Sequence, residues 1–162
     1  MMPAYCDIRP STIFISKPLR NTDERPKMKI AKFGQSERVL QRTEEDIENG
    51  ISSDVANKLE SRTPDSLGWI EPMAHIMPSE FEFTKKSDVF SFGLLCGYAS
   101  SSGQHPFGQN DKDRQRNLKE ENYNMDCFQS LDPSLLDLVE RAINISMSDR
   151  PSMETILNLP YF

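Results

Sequence analysis

The chain has 162 residues, with 19 Lys and Arg against 25 Asp and Glu, a net charge of −6 at pH 7 and 36% hydrophobic residues. This length and composition indicate one globular domain without a membrane segment, and they argue against a fibre. The acidic balance, with no basic stripe interleaved with aromatic residues, argues against nucleic-acid binding.

Cysteine usage and the first residues bear on the compartment. Cys6, Cys96 and Cys127 are far apart and lack metal-ligand spacing, so we expect reduced thiols. Neither a basic nor an apolar run opens the chain, so no targeting signal is expected. Together these features predict a cytoplasmic or nuclear protein. His75 and His105 lie in no ligand-like cluster, and no metal site is expected at either.

The first third of the chain predicts a small ribbon and a long loop. Short β-prone runs at 12–16 and 28–33 predict two antiparallel strands. From 34 to 68 the apolar periodicity fades and acidic residues accumulate. This composition is typical of a long loop or a partly disordered segment.

The rest of the chain predicts helices. Residues 84–99 are apolar nearly all round, with Thr84 as a possible N-cap, which predicts a buried central helix. The charged stretch 111–121 predicts an exposed helix. Asp132-Pro133 followed by apolar residues at helical spacing predicts a second core helix over 133–146 that contacts the central one. A short last helix is predicted over 153–159.

Five short strings carry a resemblance to a known family. They occur in this order: Tyr5-Cys6-Asp7-Ile8-Arg9-Pro10, Lys32-Phe33-Gly34, Gly68-Trp69-Ile70-Glu71-Pro72, Ser87-Asp88-Val89-Phe90-Ser91-Phe92-Gly93 and Asp149-Arg150-Pro151-Ser152. Together they resemble the C-terminal lobe of a eukaryotic protein kinase of the serine/threonine type, from the catalytic loop to the last helix. The context of Gly68-Trp69-Ile70, the stretch 102–108 and the Leu-Pro-Tyr-Phe ending are most similar to the Ire-type stress-sensor kinase/endoribonuclease family.

The resemblance implies a degenerate, pseudokinase-like site. In the family an Asp accepts the hydroxyl proton, a Lys steadies the phosphate, and an Asn and a second Asp hold Mg²⁺. The first two positions are Asp7 and Arg9, which keep the charges. The metal-ligand positions are Thr12, a weak Mg²⁺ ligand, and Lys32, which is no ligand. Phe14 joins Thr12 and Lys32 among the positions implied for the cofactor.

The resemblance also implies structural residues. Phe33 and Gly34 are retained, and Asp88 is expected to anchor the catalytic loop from the central helix. Cys6 replaces the Arg that usually binds a phosphorylated activation loop. Because the family's Ala-Pro-Glu reads Glu71-Pro72-Met73, Arg150 is expected to lack its ion-pair partner.

The expected fold is therefore mainly α: a kinase-like C-lobe with a small β-ribbon near the catalytic loop and no N-lobe. Residues 1–162 are interpreted as a partial, truncated kinase domain, with the catalytic loop at 5–12, the activation segment at 32–73 and the helical C-lobe at 84–162. No cofactor is expected for this chain, although the family uses ATP and magnesium.

Further expectations concern charge and exposure. We expect Lys32 to pair with Asp7, since an unpaired buried charge is costly. Phe14, Ile15 and part of 89–98 are expected to be partly uncovered without an N-lobe, so the isolated chain should be marginally stable unless a partner covers them.

Three functions remain open at this point. The first is an inactive kinase-like module that binds protein partners. The second is part of an ATP-dependent serine/threonine kinase whose N-lobe lies elsewhere. The third is an independent helical interaction domain. Lys32 and Thr12 favour the first or the third.

Overall fold

The structure is a computed structural model that describes residues 4–15, 27–36 and 59–159. The strands are β1 (Ile13–Ile15) and β2 (Met28–Ile30), and the helices are α1 (Pro64–Leu67), α2 (Pro72–Ile76), α3 (Lys85–Ser100), α4 (Asp111–Lys119), α5 (Pro133–Ala142) and α6 (Met153–Leu157). This is the predicted architecture, a mainly α kinase-like C-lobe with a small two-stranded sheet. None of the helices within these ranges is long and apolar enough to cross a bilayer.

Helix α3 is the buried centre of the fold, as predicted. The Thr84 side chain accepts hydrogen bonds from the backbone N–H groups of Lys86 and Ser87, and Ser87 Oγ accepts one from Thr84 N at 2.9 Å. This capping box satisfies backbone donors that the first turn of a helix otherwise leaves unpaired. Phe90 and Leu94 are 0% exposed, which confirms a helix without a polar face.

Helix α5 packs along α3. Asp132 caps its first turn by accepting a hydrogen bond from Ser134 N at 3.0 Å, and Pro133 takes the first helical position, where its missing N–H costs nothing. Leu138 and Val139 are buried. Contact between the two helices is therefore confirmed.

The predicted end of this helix is wrong. α5 stops at Ala142, before the predicted end. Asn144 Oδ1 accepts a hydrogen bond from Ser146 N at 2.9 Å, a local turn that competes with helical bonding. The Asn144 carbonyl also accepts a hydrogen bond from Arg150 Nε at 2.7 Å.

The two strands form the predicted antiparallel ribbon, although each is shorter than predicted. Ile13 pairs with Ile30 and Ile15 with Met28. Because alternate residues of a strand point the same way, these four side chains form one apolar surface, called here the ribbon face. Ile15 and Met28 are 63% and 64% exposed. Phe14, on the opposite side, is 54% exposed, so the uncovering predicted for Phe14 and Ile15 is confirmed.

The predicted 34–68 loop is only partly described, since residues 37–58 lie outside the described ranges. Phe33–Gln35 form a 3₁₀ turn and α1 forms near the other end, so the described part is not loop throughout. Pro64 at the first position of α1 favours this short helix.

Helix α4 is the exposed helix predicted from its charge. Asn110 Oδ1 accepts a hydrogen bond from Asp113 N at 3.0 Å and caps it. Leu118 is fully buried in the core beside Trp69. Arg114 lies over the Trp69 ring at 5.7 Å, so one face of α4 joins the core.

Gly93 permits the close approach of α3 and α5. A Cβ at this position would lie 2.5 Å from Ala142 Cβ. We expect Gly93→Ala to lower the free energy of unfolding by about 1–3 kcal/mol, because overpacking outweighs the gain in helix propensity. Urea denaturation of the two proteins measures the difference.

Gly34→Ala is the matched control, because a Cβ at Gly34 would have no neighbour within 4 Å. This variant should stay within about 0.5 kcal/mol of the parent chain. Unchanged or increased stability of Gly93→Ala would contradict the packing described for α3 and α5.

Candidate functional site

The loop that carries Asp7 is held by Asp88, from the first turn of α3. Tyr5 N and Cys6 N donate to the two carboxylate oxygens of Asp88 at 2.6 and 2.8 Å. Arg62 Nη1 donates to the Cys6 carbonyl at 2.6 Å. These bonds fix both peptide groups of Cys6, whose φ of 63° is unfavourable for a residue with a side chain. Burial raises the pKa of Asp88, although its two backbone hydrogen bonds and Arg62 oppose that rise.

The Asp7 carboxylate is surrounded by donors. Arg9 Nε lies 2.9 Å from Oδ1, Ser66 Oγ donates to the same oxygen at 2.8 Å, and Arg62 Nη1 lies 3.9 Å away. Asp7 is only 7% exposed, so these contacts replace the water that an ionised carboxylate needs. The group implied as a proton acceptor is thus engaged within the chain.

Arg9 is buried between two carboxylates. Its guanidinium pairs with Asp7 and with Asp65, and Asp65 also accepts a hydrogen bond from Ser11 Oγ at 3.2 Å. Arg9 is 8% exposed, so it braces the loop and does not face solvent. Two negative charges therefore offset the cation at the position that the resemblance assigns to phosphate.

Thr12 is directed toward the backbone of the same loop. Its Oγ1 lies 2.8 Å from the Asp7 carbonyl oxygen and 2.9 Å from that of Arg9, and it accepts a hydrogen bond from Arg9 N at 3.3 Å. The side chain is completely buried. Thr12 thereby closes the 3₁₀ turn Pro10–Thr12.

The predicted ion pair between Lys32 and Asp7 is wrong. Lys32 is exposed and has a left-handed backbone with a φ of 66°. The partners of Asp7 are Arg9, Arg62 and Ser66. Arg9 is two residues away in the same loop and Arg62 is already fixed to the Cys6 carbonyl, so the carboxylate is satisfied without Lys32.

The residues at the family's metal-ligand positions do not fit Mg²⁺. This ion requires oxygen ligands at near-octahedral positions. The Thr12 hydroxyl is committed to the loop backbone, and Lys32 offers an ammonium group. Across residues 4–15, 27–36 and 59–159, no three His, Cys, Asp or Glu side chains converge on a point that could hold a metal ion.

The remaining residues near the loop contact it loosely. Phe33 is 64% exposed and meets the Tyr5 ring edge-on, with ring centroids 5.3 Å apart. Tyr5 Oη also donates to the Ala31 carbonyl. Gly34 has open space around it, and Phe14 lies on the exposed ribbon.

Arg150 does have an ion-pair partner, so the expectation that it lacks one is wrong. Arg150 Nη1 lies 2.6 Å from Glu71 Oε2, and both side chains are 0% exposed. Its other nitrogens donate to the carbonyls of Asn144 and Ile145, and its Cζ lies 4.9 Å from the Phe90 ring centroid. Met73 stands where the family carries its Glu. Glu71, two residues earlier, therefore supplies the buried negative charge.

Three residues of the site were missed by the sequence analysis: Arg62, Asp65 and Ser66. They contact the loop across 54 to 59 positions of sequence, which periodicity cannot reveal. The only local signal is that basic, acidic and hydroxyl residues precede Gly68-Trp69, the string that carries the resemblance.

The two histidines add no positive charge at neutral pH. Burial lowers the pKa of His105 to about 3, with a further contribution from nearby Arg114. Burial likewise lowers the pKa of His75 to about 4, although its bond to the Leu67 carbonyl opposes this. Because the unfolded chain takes up these protons near pH 6.5 and the folded chain does not, both residues reduce stability as the pH falls from 6.5 toward 4.

Similarity to known proteins shows which family the chain belongs to. The family model of protein tyrosine and serine/threonine kinases matches residues 19–159. The chain therefore belongs to the protein kinase family, as the five strings predict.

Its relatives include Ire-type proteins, as expected. The chain is 30% identical over 158 residues to the serine/threonine-protein kinase/endoribonuclease ire-1 of Caenorhabditis elegans, covering 96% of this chain and 15% of the relative. It is 38% identical over 79 residues to the probable serine/threonine-protein kinase irlA of Dictyostelium discoideum, covering 49% of this chain and 6% of the relative. It is 35% identical over 79 residues to the sensor for unfolded proteins in the ER ire1 of Schizosaccharomyces pombe, covering 47% and 7%. The chain thus spans 15% or less of the length of these relatives.

The buried Glu71–Arg150 pair should be essential for stability. We expect Glu71→Gln to lower the free energy of unfolding by about 3–5 kcal/mol, because it leaves the Arg150 charge buried and uncompensated. Chemical denaturation provides the measurement.

The control is Asp137→Asn, which removes the partner of Arg141. That pair is 3.4 Å apart, and its side chains are 51% and 65% exposed, so the variant should change stability by about 1 kcal/mol or less. Equal effects of the two substitutions would show that the Glu71–Arg150 contact is not a buried charge pair.

Proposed function

We propose that this chain is a pseudokinase-like module of the protein kinase family that binds other proteins and does not transfer phosphate. The observation that carries the proposal is that Asp7 and Arg9 are buried and ion-paired within the chain. A general base must be able to reach the proton it removes, and Asp7 is buried beneath Arg9, Arg62 and Ser66. The positive charge of Arg9 is offset by Asp7 and Asp65.

The chemistry of phosphoryl transfer supports the inactive state. The reaction depends on metal ions and cations that neutralise developing negative charge, and a single arginine can contribute about 10³–10⁵ in rate. Thr12 and Lys32 supply no replacement for the metal ligands. We therefore propose that the chain uses neither ATP nor magnesium.

The ribbon face supports a binding role. Ile15, Met28 and Ile30 are 63%, 64% and 48% exposed on the same side of a two-stranded sheet. Contiguous apolar surface of this kind is typical of a site covered by another protein surface. We propose that a protein partner or a kinase N-lobe covers it, and we propose no nucleic-acid partner.

The second candidate is part of an ATP-dependent serine/threonine kinase. Two observations favour it: Asp7 and Arg9 keep the charges of the family positions, and the relatives are named as serine/threonine-protein kinases. In that case other parts of a longer protein would supply the missing groups. The third candidate is an independent helical domain. Membership of the kinase family does not support it.

The state of the cysteines supports a cytoplasmic or nuclear location. Cys6, Cys96 and Cys127 all lie within the described ranges and form no disulfide. Burial raises the pKa of Cys96 to about 11, which keeps this thiol protonated and unreactive.

Absence of phosphate transfer is the first test. The purified chain is incubated with Mg²⁺ and γ-labelled ATP, and label on the chain and on a generic serine/threonine substrate is counted. We expect no difference from the Asp7→Ala/Lys32→Ala double variant. Signal above that background would favour the ATP-dependent kinase.

Dye binding at the ribbon face is the second test. We expect the chain to bind an apolar fluorescent dye and Ile15→Thr/Met28→Thr to lower that signal by about half, because Thr keeps the strand propensity while removing apolar surface. Leu157→Thr is the control, since Leu157 is 61% exposed in α6, away from the ribbon. Equal signals from all three proteins would argue against the ribbon face as a binding surface.

A further inference from the structure

A groove lies between α2, the residues that precede α3, and the turn at Met147–Asp149. Its volume is about 650 Å³, within the range of about 300–1,000 Å³ that binding pockets span. The following residues line what is called here the methionine groove: Met73, Met77, Glu80, Phe81, Glu82, Thr84 and Met147.

The wall of the methionine groove is preformed. Met77 N donates to the Met73 carbonyl at 2.9 Å, and Phe81 N donates to the Met77 carbonyl at 3.0 Å. Phe81 is 6% exposed and packs against the buried cluster that includes Cys6 of the loop. Thr84 Oγ1 donates to Met147 Sδ at 3.4 Å, which fixes the opposite wall.

Methionine makes this surface suited to long apolar side chains. Met73 and Met147 are half-buried, while Met77 is 37% and its neighbour Ile76 41% exposed. Flexible thioether side chains repack around apolar groups of different shape, which is why they are common at peptide-binding surfaces.

The charge at the methionine groove is acidic. Glu80 and Glu82 both line it. Glu80 is exposed and forms no ion pair with any other residue in the described part of the chain. Lys86 lies beyond the Thr84 end of the groove, and its ammonium donates a hydrogen bond to the Arg150 carbonyl. Charge complementarity therefore favours a ligand with positive charges beside its apolar groups.

We propose that the methionine groove binds a basic segment of a partner protein, in which long apolar side chains alternate with Lys or Arg. The apolar side chains fill the space between the three methionines and Phe81, and the basic groups pair with Glu80. The inference rests on the binding role proposed above and adds a second surface, distinct from the ribbon face.

Fluorescence anisotropy tests this with two labelled peptides and the full chain. One peptide combines leucine with lysine, and the other has the same leucines with glutamate in place of lysine. We expect the basic peptide to bind at least about fivefold more tightly, a difference of about 1 kcal/mol. Its affinity should fall as salt rises, since the charges are exposed.

Variants locate the binding. Glu80→Lys and Met77→Gln should each weaken binding of the basic peptide by about fivefold or more. Glu140→Lys is the control: it makes the same charge change at an exposed position on α5 and should leave affinity unchanged. Circular dichroism checks that every variant keeps its helix content, and Met77 is exposed enough that its substitution should be tolerated.

Defined results would overturn the proposal. Equal affinity for the two peptides would exclude charge recognition, and equal weakening by Glu80→Lys and Glu140→Lys would place the peptide elsewhere. Sedimentation that shows a dimer of this chain dissociated by Met77→Gln would make a second copy the occupant. Phosphate transfer by the chain would refute the proposed inactivity without touching the groove, so the two failures are distinguishable.

Discussion

One carboxylate, that of Asp88, determines where the loop that carries Asp7 lies. It sits in the capped first turn of the buried helix α3 and accepts the N–H groups of Tyr5 and Cys6 at 2.6 and 2.8 Å. Burial raises its pKa, so the ionised form depends on those donors and on Arg62. Because Arg62 also holds the Cys6 carbonyl, the loop, the segment before α1 and α3 form one buried polar unit. The left-handed backbone at Cys6 follows from this restraint.

The same unit explains why charge at the site is directed inward. Arg9 and Arg62 both lie within 4 Å of Asp7, and Asp65 completes the pairing of Arg9. Buried charges are tolerated when they satisfy each other. Groups that bind phosphate or metal must instead keep unsatisfied capacity for the ligand, and the loop retains little of it.

The sequence allowed prediction of those parts of the fold that depend on local pattern. The run that is apolar on all sides predicted the burial of Phe90 and Leu94, and two short β-prone runs predicted the ribbon. Local sequence pattern could not indicate that Arg62 and Ser66 reach Asp7. Such contacts join residues 55 or more positions apart and depend on tertiary packing. The Lys32 prediction failed because it paired two motifs that converge in the family's site. The Asp7 carboxylate is instead satisfied by Arg9 in its own loop and by Arg62 and Ser66 from another segment.

The Glu71–Arg150 pair shows why residue position in a motif and physical interaction must be judged separately. The family's Glu position is occupied by Met73, yet an acid two residues earlier forms a completely buried contact at 2.6 Å with Arg150. A buried guanidinium without a carboxylate would cost several kcal/mol, so a chain that keeps Arg150 buried here needs an acid within reach of it. Glu71 supplies this acid for the helical framework. Thr12 and Lys32, in contrast, do not supply ligands for a metal ion. A framework that keeps its stabilising charges without these metal ligands fits the role proposed here, in which the ribbon face and the methionine groove serve as binding surfaces.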